Sequence, residues 1–267
     1  ASQEPATFRY RQVTALFKDL IDDLDNYSPD PDKFLDVPFV PTDDRVIEAM
    51  FDLGAVNSQD VLFDLGSGDG RIVVAAARDR GARSVGIEMD TVRIADAMEY
   101  AGNSRVEFMV DFIEDNIFTA DFSEATVVTL YLLDAVNVRL RPRLLSQLRP
   151  GTRIISQTFD MGDWKPDEHI QLSGVNIYKW IVPARVEGAW QWECVEGDLY
   201  HLELVQKFQE VDGNVWIGDD PALLEVAQLS GDSLSVAVRA HDAVAPKSFT
   251  LTFEEDELIA VVEESSV

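Results

Sequence analysis

Apolar residues change their spacing several times along the chain, and each change marks an element. Between residues 5 and 27, Phe8, Val13, Leu16, Phe17, Leu20, Ile21 and Leu24 recur near helical spacing, with Asp19, Asp22, Asp23 and Asp25 largely elsewhere on the wheel. This predicts an amphipathic N-terminal helix. Ser28-Pro-Asp-Pro-Asp32 ends it, because proline removes a backbone donor and disfavours helix just upstream. An extended run, Val37-Pro-Phe-Val-Pro41, follows. Thr42 then stands as a helix cap, with Asp43 and Asp44 near the positive end and Val46, Met50 and Leu53 as an inner face that stops at Gly54.

Beyond Gly54 short buried runs alternate with helical periodicity. The pattern predicts strand 60–65, helix 69–80, strand 83–88, helix 91–101 and strand 105–110, then strand 126–131, helix 135–148 and strand 152–158. That rhythm is a doubly wound α/β sheet. Residues 169–172 and 175–182, separated by Ser173-Gly174, read instead as a hairpin that supplies an antiparallel final strand. After Pro183-Ala184, alternating runs at 200–208, 214–217, 233–239 and 249–253 are divided by Asp212-Gly213, Gly218-Asp219 and Gly231-Asp232. They predict an antiparallel β module whose acidic C-terminal end is a solvated edge or tail. The expected organisation is therefore an N-terminal helix and covering segment over 1–41, an α/β domain over 42–184 and the β module over 185–267.

Composition removes whole classes of function. Lys and Arg number 22 against 49 Asp and Glu, a net charge of −27, which opposes binding to nucleic acid through a phosphate-neutralising surface. Such an acidic surface serves solubility, as in halophiles, and can also steer a basic substrate. Cys194 is the single cysteine, and His169, His201 and His241 are scattered, so neither a disulfide nor a metal centre is expected. No apolar run approaches the ~18 residues needed to cross a bilayer, so no stable membrane insertion is expected.

The densest chemistry lies in Val61-Leu-Phe-Asp-Leu-Gly-Ser-Gly-Asp-Gly-Arg-Ile-Val-Val74, a buried strand joined to a helix by a glycine turn. This join puts a ligand at the carboxyl end of the first strand, beside the switch point of an open sheet. Gly66, Gly68 and Gly70 permit a close backbone approach that a Cβ atom would obstruct, and Asp64 can accept a donor. Any nucleotide-using α/β fold could carry such a turn, so the next acid decides more. Ser84-Val-Gly-Ile-Glu88 is a second strand ending in a carboxylate, about 20 residues on, where ribose hydroxyls are gripped. Asp69 occupies the position that faces pyrophosphate in dinucleotide folds and would repel a diphosphate, whereas a sulfonium with an amino-acid tail presents cationic groups. S-adenosylmethionine is favoured over NAD. The third strand is expected to end at Asp111-Phe112, an acid for an adenine amino group and a ring for its face.

Asp64-Leu-Gly-Ser-Gly-Asp-Gly-Arg-Ile-Val73, with the upstream Val37-Pro-Phe-Val-Pro-Thr42, resembles the class I S-adenosylmethionine-dependent methyltransferases, in particular the lysine methyltransferases of ATP synthase c-subunits and their bacterial relatives. More distantly it resembles the non-SET histone lysine methyltransferases. The likeness runs over roughly 37–184 and includes Leu130-Tyr-Leu-Leu133, Leu140-Arg-Pro-Arg143 and Gly151-Thr-Arg-Ile-Ile-Ser156. It implies a Rossmann-like seven-stranded methyltransferase sheet, here with an N-terminal helical extension and a C-terminal antiparallel β module. It also implies that Asp64, Gly66, Gly68, Glu88 and Asp111 bind cofactor and that Pro38-Phe-Val-Pro41 closes over it. Phe39 stands where relatives often carry tyrosine.

The full candidate cofactor set is Phe39, Pro41, Asp64, Gly66, Ser67, Gly68, Asp69, Gly70, Glu88, Met89, Asp111, Phe112 and Tyr131. Methyl transfer is an in-line displacement, so positioning and desolvation can supply much of the catalysis without a nucleophilic side chain. Loops after the fourth and fifth strands bring Tyr131, Asp134 and Asn137, then Phe159, Asp160 and Trp164, towards the methyl group. Tyr131, Asn137, Asp160 and Trp164 are the catalytic candidates, and aromatic faces among them can stabilise a sulfonium or methylated ammonium. No Asn-Pro-Pro-Tyr-type segment follows the fourth strand, which counts against a nucleobase or glutamine amide. The expected acceptor is a protein lysine, with a small-molecule acceptor or a non-catalytic cofactor-sensing interaction protein as alternatives. The cofactor is an intracellular metabolite, so the cytoplasm is the expected location. Exposed β edges could pair between subunits.

Overall fold

The computed structural model describes residues 42–265. The expected N-terminal helix and covering segment, including Phe39 and Pro41, lie outside the described residues. The chain divides into two compact units between Val182 and Pro183.

The first unit opens with α1 (Asp44–Leu53), whose Val46, Ile47, Met50 and Phe51 are buried. Its N-cap is Asp43 rather than Thr42: the Asp43 carboxylate accepts the Arg45 N–H at 2.8 Å, while the buried Thr42 hydroxyl donates to Gln157 Oε1. There follow β1 (Val61–Leu65), α2 (Arg71–Arg80), β2 (Arg83–Glu88), α3 (Thr91–Asn103), β3 (Val110–Glu114), β4 (Val127–Leu130), α4 (Asp134–Gln147), β5 (Arg153–Gln157), β6 (Glu168–Leu172) and β7 (Val175–Ile181). They form one sheet in the order β3-β2-β1-β4-β5-β7-β6. Strands β1 to β5 pair in parallel, and β7 lies antiparallel to both neighbours. All four residues of β4 and the last four of β1 and β5 are buried, as strands covered on both faces require.

The third strand departs from the sequence reading. It starts at Val110, where the periodicity would end it, and its register against β2 runs from Ser84↔Val110 to Glu88↔Glu114. Pairing, not local pattern, fixes this edge strand, and Asp111 therefore lies near its beginning.

The second unit is a meander: β8 (Gly188–Glu193), β9 (Leu199–Lys207), β10 (Glu210–Ile217), β11 (Asp220–Ser230), β12 (Ser233–Arg239), β13 (Lys247–Glu254) and β14 (Glu257–Glu263). Each strand pairs antiparallel with its chain neighbour. The inner face packs Trp190, Trp192, Leu202, Leu234, Phe249 and Leu251. Trp190 meets Phe253, and Trp192 meets Phe249, edge to face, so the first and sixth strands of the meander share one core. Asp212-Gly213, expected to divide strands, sits inside β10. A Cβ at Gly213 would run into the Glu203 carbonyl, so glycine is there for close strand approach, and the turn falls instead at Phe208-Gln209.

Candidate functional site

The turn between β1 and α2 is built by glycine. Gly66, Gly68 and Gly70 have φ of +80°, +56° and +79°, values that favour residues without Cβ. Space enforces the same choice at Gly70, where a Cβ would lie 2.8 Å from Ala97 Cβ and 2.9 Å from the Phe112 ring. The Gly66 and Ser67 N–H groups both donate to the Ile87 carbonyl, which ties the turn to the end of β2.

Glu88 completes that tie. Its Oε1 accepts the Gly68 N–H at 2.9 Å, and its Oε2 accepts those of Met89 and Asp90 at 2.8 and 3.0 Å. One carboxylate thus joins the glycine turn to the start of α3. Asp64 lies deeper, at the end of β1, and its Oδ1 accepts the Thr129 hydroxyl of β4 at 2.8 Å. Burial pushes its carboxyl up to about 7. The Thr129 bond opposes this, and the negative fields of Glu88 and Asp69 add to it. A buried acid in that field is matched by a cationic ligand.

The remaining candidates separate into those the geometry brings to this end and those it does not. Asp69 is engaged by Arg71, whose Nε and Nη2 contact both carboxylate oxygens while Nη1 donates to the Thr42 carbonyl. Asp69 is thus ion-paired with Arg71, while its charge still adds to the negative field at Asp64. The Ser67 hydroxyl is buried against Gly86. Phe112 packs against Gly70, Gly86 and the α2–α3 core, so it supports the cradle from below. Asp111 is exposed and pairs with Val85, three residues short of the strand end. Two acids stand at the carboxyl end: Glu114, paired with Glu88, and Asp115, whose N–H donates to the Glu88 carbonyl at 3.2 Å and whose carboxylate accepts the Asn116 N–H at 2.7 Å.

Two residues at this end of the sheet were missed in the sequence. Asp115 needed the pairing register to be found. Gly86 carried a signal, since glycine inside a strand marks a close approach: a Cβ there would lie 2.5 Å from Ser67 Oγ and 2.8 Å from Phe112 Cδ1.

The carboxyl ends of β4 and β5 bring together a second group. Tyr131, partly exposed, faces Phe159 with ring centroids 6.3 Å apart. Asn137 is fully buried on the first turn of α4 and donates to the Phe159 and Asp160 carbonyls at 3.2 and 3.1 Å. The Asp160 carboxylate is exposed and accepts the Gly162 N–H. Trp164 does not reach solvent. It is 0% exposed against Trp180, whose indole N–H donates to the Trp164 carbonyl at 2.8 Å, so it packs the fold and cannot meet an acceptor as placed.

The strand order, the glycine cradle and the acid at the end of β2 define a class I S-adenosylmethionine-dependent methyltransferase. The model of the ANTKMT methyltransferase domain matches residues 64–168. A protein-lysine N-methyltransferase of Saccharolobus islandicus is 39% identical over 142 residues, which is 53% of this chain and 88% of that protein. The Homo sapiens lysine N-methyltransferase named for the ATP synthase c-subunit is 29% identical, over 52% of this chain and 59% of that protein. A crystal structure of an RNA methyltransferase from Salinibacter ruber in complex with S-adenosylhomocysteine is 50% identical. It matches with a TM-score of 0.54 over 55% of this chain and 96% of that one. The chain belongs to this methyltransferase family, and its methyl donor is S-adenosylmethionine. These matches span little more than half of the chain. Among the described residues no helix is long and apolar enough to cross a membrane.

Proposed function

We propose that the protein transfers a methyl group to a lysine ε-amine of a protein. The observation that carries this reading is the match along 88% of the length of the Saccharolobus enzyme named for that activity. The net charge of −27 supports it, since a lysine-bearing segment is attracted where a nucleic acid is repelled. On this reading Asp64, Glu88, Asp115 and the glycine turn hold the donor. Gly66, Gly68, Gly70 and Gly86 keep the backbone close to it. Tyr131, Phe159, Asn137 and the Asp160 carboxylate form the acceptor end. Bound S-adenosylmethionine supplies an electrophilic methyl. The chain's part is to orient a neutral amine and exclude water.

The β module carries 4 basic residues, Arg185, Lys207, Arg239 and Lys247, against 18 acids, and it lies beyond every element of the donor site. We assign it to acceptor access or assembly, so a folded truncation after Ala184 should keep its donor affinity. The use of an intracellular donor suits a cytoplasmic enzyme.

The test is incubation of the full chain with methyl-labelled donor and an archaeal or bacterial lysate, split into protein, RNA and small-molecule fractions. Label recovered as methyl-lysine after acid hydrolysis supports the reading. Label confined to RNA, as the name of the Salinibacter protein would have it, or to small molecules, overturns it.

A further inference from the structure

The backbone just after β5 enters the left-handed region. Thr158 has φ +70°, where a β-branched residue sits only under constraint. Around it the Phe159 N–H donates to the Gln157 carbonyl at 2.8 Å, so three residues close a γ-turn of the rare, strained hand.

Ties from several directions hold this turn. The Thr158 N–H donates to the Asn176 carbonyl of β7 at 2.7 Å. The Ser156 hydroxyl donates to the Phe159 carbonyl at 2.6 Å. The Asn137 amide reaches the Phe159 and Asp160 carbonyls, and the Arg141 guanidinium takes the Met161 carbonyl at 3.0 Å. Asn137 Oδ1 has no partner among the described residues, and reversing the amide would set that oxygen against two carbonyls. A glycine at 158 would close the turn without steric cost, so connectivity alone does not explain a threonine held by so many bonds.

Phe159 is the closing residue of the strained turn. Its ring lies beside Tyr131 with planes 25° apart, both partly exposed, at the ligand-bearing ends of β4 and β5. Aromatic faces attract cations, and quaternary ammonium groups are their best-known small ligands.

We infer that the Thr158 turn, fixed by Ser156 and Asn137, holds Phe159 beside Tyr131 as an aromatic surface for the methylated ammonium of the acceptor. This rests on the amine reading above. Phe159 and Tyr131 determine specificity. Thr158, Ser156 and Asn137 are positioning residues, because they act through the Phe159 ring.

The experiment uses n-butyltrimethylammonium, titrated into the full chain saturated with S-adenosylhomocysteine and followed by ring-current shifts of its methyl resonance. Wild-type protein is expected to bind it, and Phe159→Leu to weaken binding about fivefold, with S-adenosylhomocysteine affinity held within about twofold. Thr158→Gly should keep or raise Tm yet weaken the probe about threefold, a change that a purely structural role would not produce. No binding by wild type, or equal binding by wild type and both variants, overturns the inference. Poly-L-lysine with methyl donor separates the two readings. Probe binding without methyl-lysine formation overturns the lysine assignment and leaves the aromatic surface standing. Methyl-lysine formed with the same KM by wild type and both variants overturns the surface.

Discussion

The carboxyl ends of β1 and β2 and those of β4 and β5 are built by opposite means. At the first, main chain does the work: glycines let strands and turn approach, and a single carboxylate, Glu88, gathers three backbone N–H groups. At the second, side chains hold main chain, with Asn137, Ser156 and Arg141 fastening carbonyls of a strained turn. A backbone-built site suits one invariant ligand, because few substitutions leave it intact. A side-chain-built site can be retuned residue by residue, which suits an acceptor that differs between relatives.

The largest expected effect falls on the backbone-built end and depends on pH. The folded-state pKa of Asp64, about 7, exceeds its ordinary value of 3.8, so the folded protein holds a proton that the unfolded chain releases. Ligand-free stability is therefore highest below pH ~4 for this group and is lost as pH rises through about 7, by up to about 4 kcal/mol. Asp64→Asn keeps an acceptor for Thr129 and should remove that loss. Urea midpoints at pH 4 and pH 8 test it: the variant should gain on wild type far more at the higher pH, while binding S-adenosylmethionine more weakly. An equal gain at both values would locate the proton elsewhere.

Glu88→Ala comes next, with cofactor affinity lowered by about 1.5–3 kcal/mol, roughly ten- to a hundredfold in Kd by calorimetry. An unchanged Kd would reduce Glu88 to a brace of the turn. Gly86→Ala should cost about 1–3 kcal/mol of stability, since the new methyl meets Ser67 and Phe112, both in the support of the turn. Thermal unfolding reads this directly, and a variant as stable as wild type would show that the cradle has slack. Glu168→Ala, on an edge hairpin, breaks a half-exposed ion pair to Lys179 and should cost about 1 kcal/mol or less. A larger loss there would mean that the contrast between the two ends understates the hairpin.

The same contrast explains what could be read from residues alone. Glycine turns and strand-end acids leave local marks, so the cradle and Glu88 were legible from Asp64-Leu-Gly-Ser-Gly-Asp-Gly70 and Ser84-Val-Gly-Ile-Glu88. Asp115 was not, because the register of an edge strand depends on its partner, and the apolar run ending at Val110 pointed four residues too early. The γ-turn at Thr158 has no compositional signature. Trp164 looked like a loop aromatic and proved to be core, since nothing nearby in sequence discloses the Trp180 that covers it. In the β module, the alternation at 233–239 gave β12 directly. The mixed polarity of β11, which opens Asp220-Pro221, concealed a long strand.

The order of strands in the two sheets also sets how each can assemble. In the meander from β8 to β14 every pairing joins chain neighbours, so any hairpin can nucleate and the rest can zip outward with little loop closure. The first sheet cannot do this. Its inner strand β1 must wait for β4, Leu62 meeting Val127, and the sheet stays open at one side until β7 slots between β5 and β6. A chain emerging from the ribosome therefore exposes the apolar edge of β5 until Val175–Ile181 has been made, and an open strand edge of this kind favours aggregation.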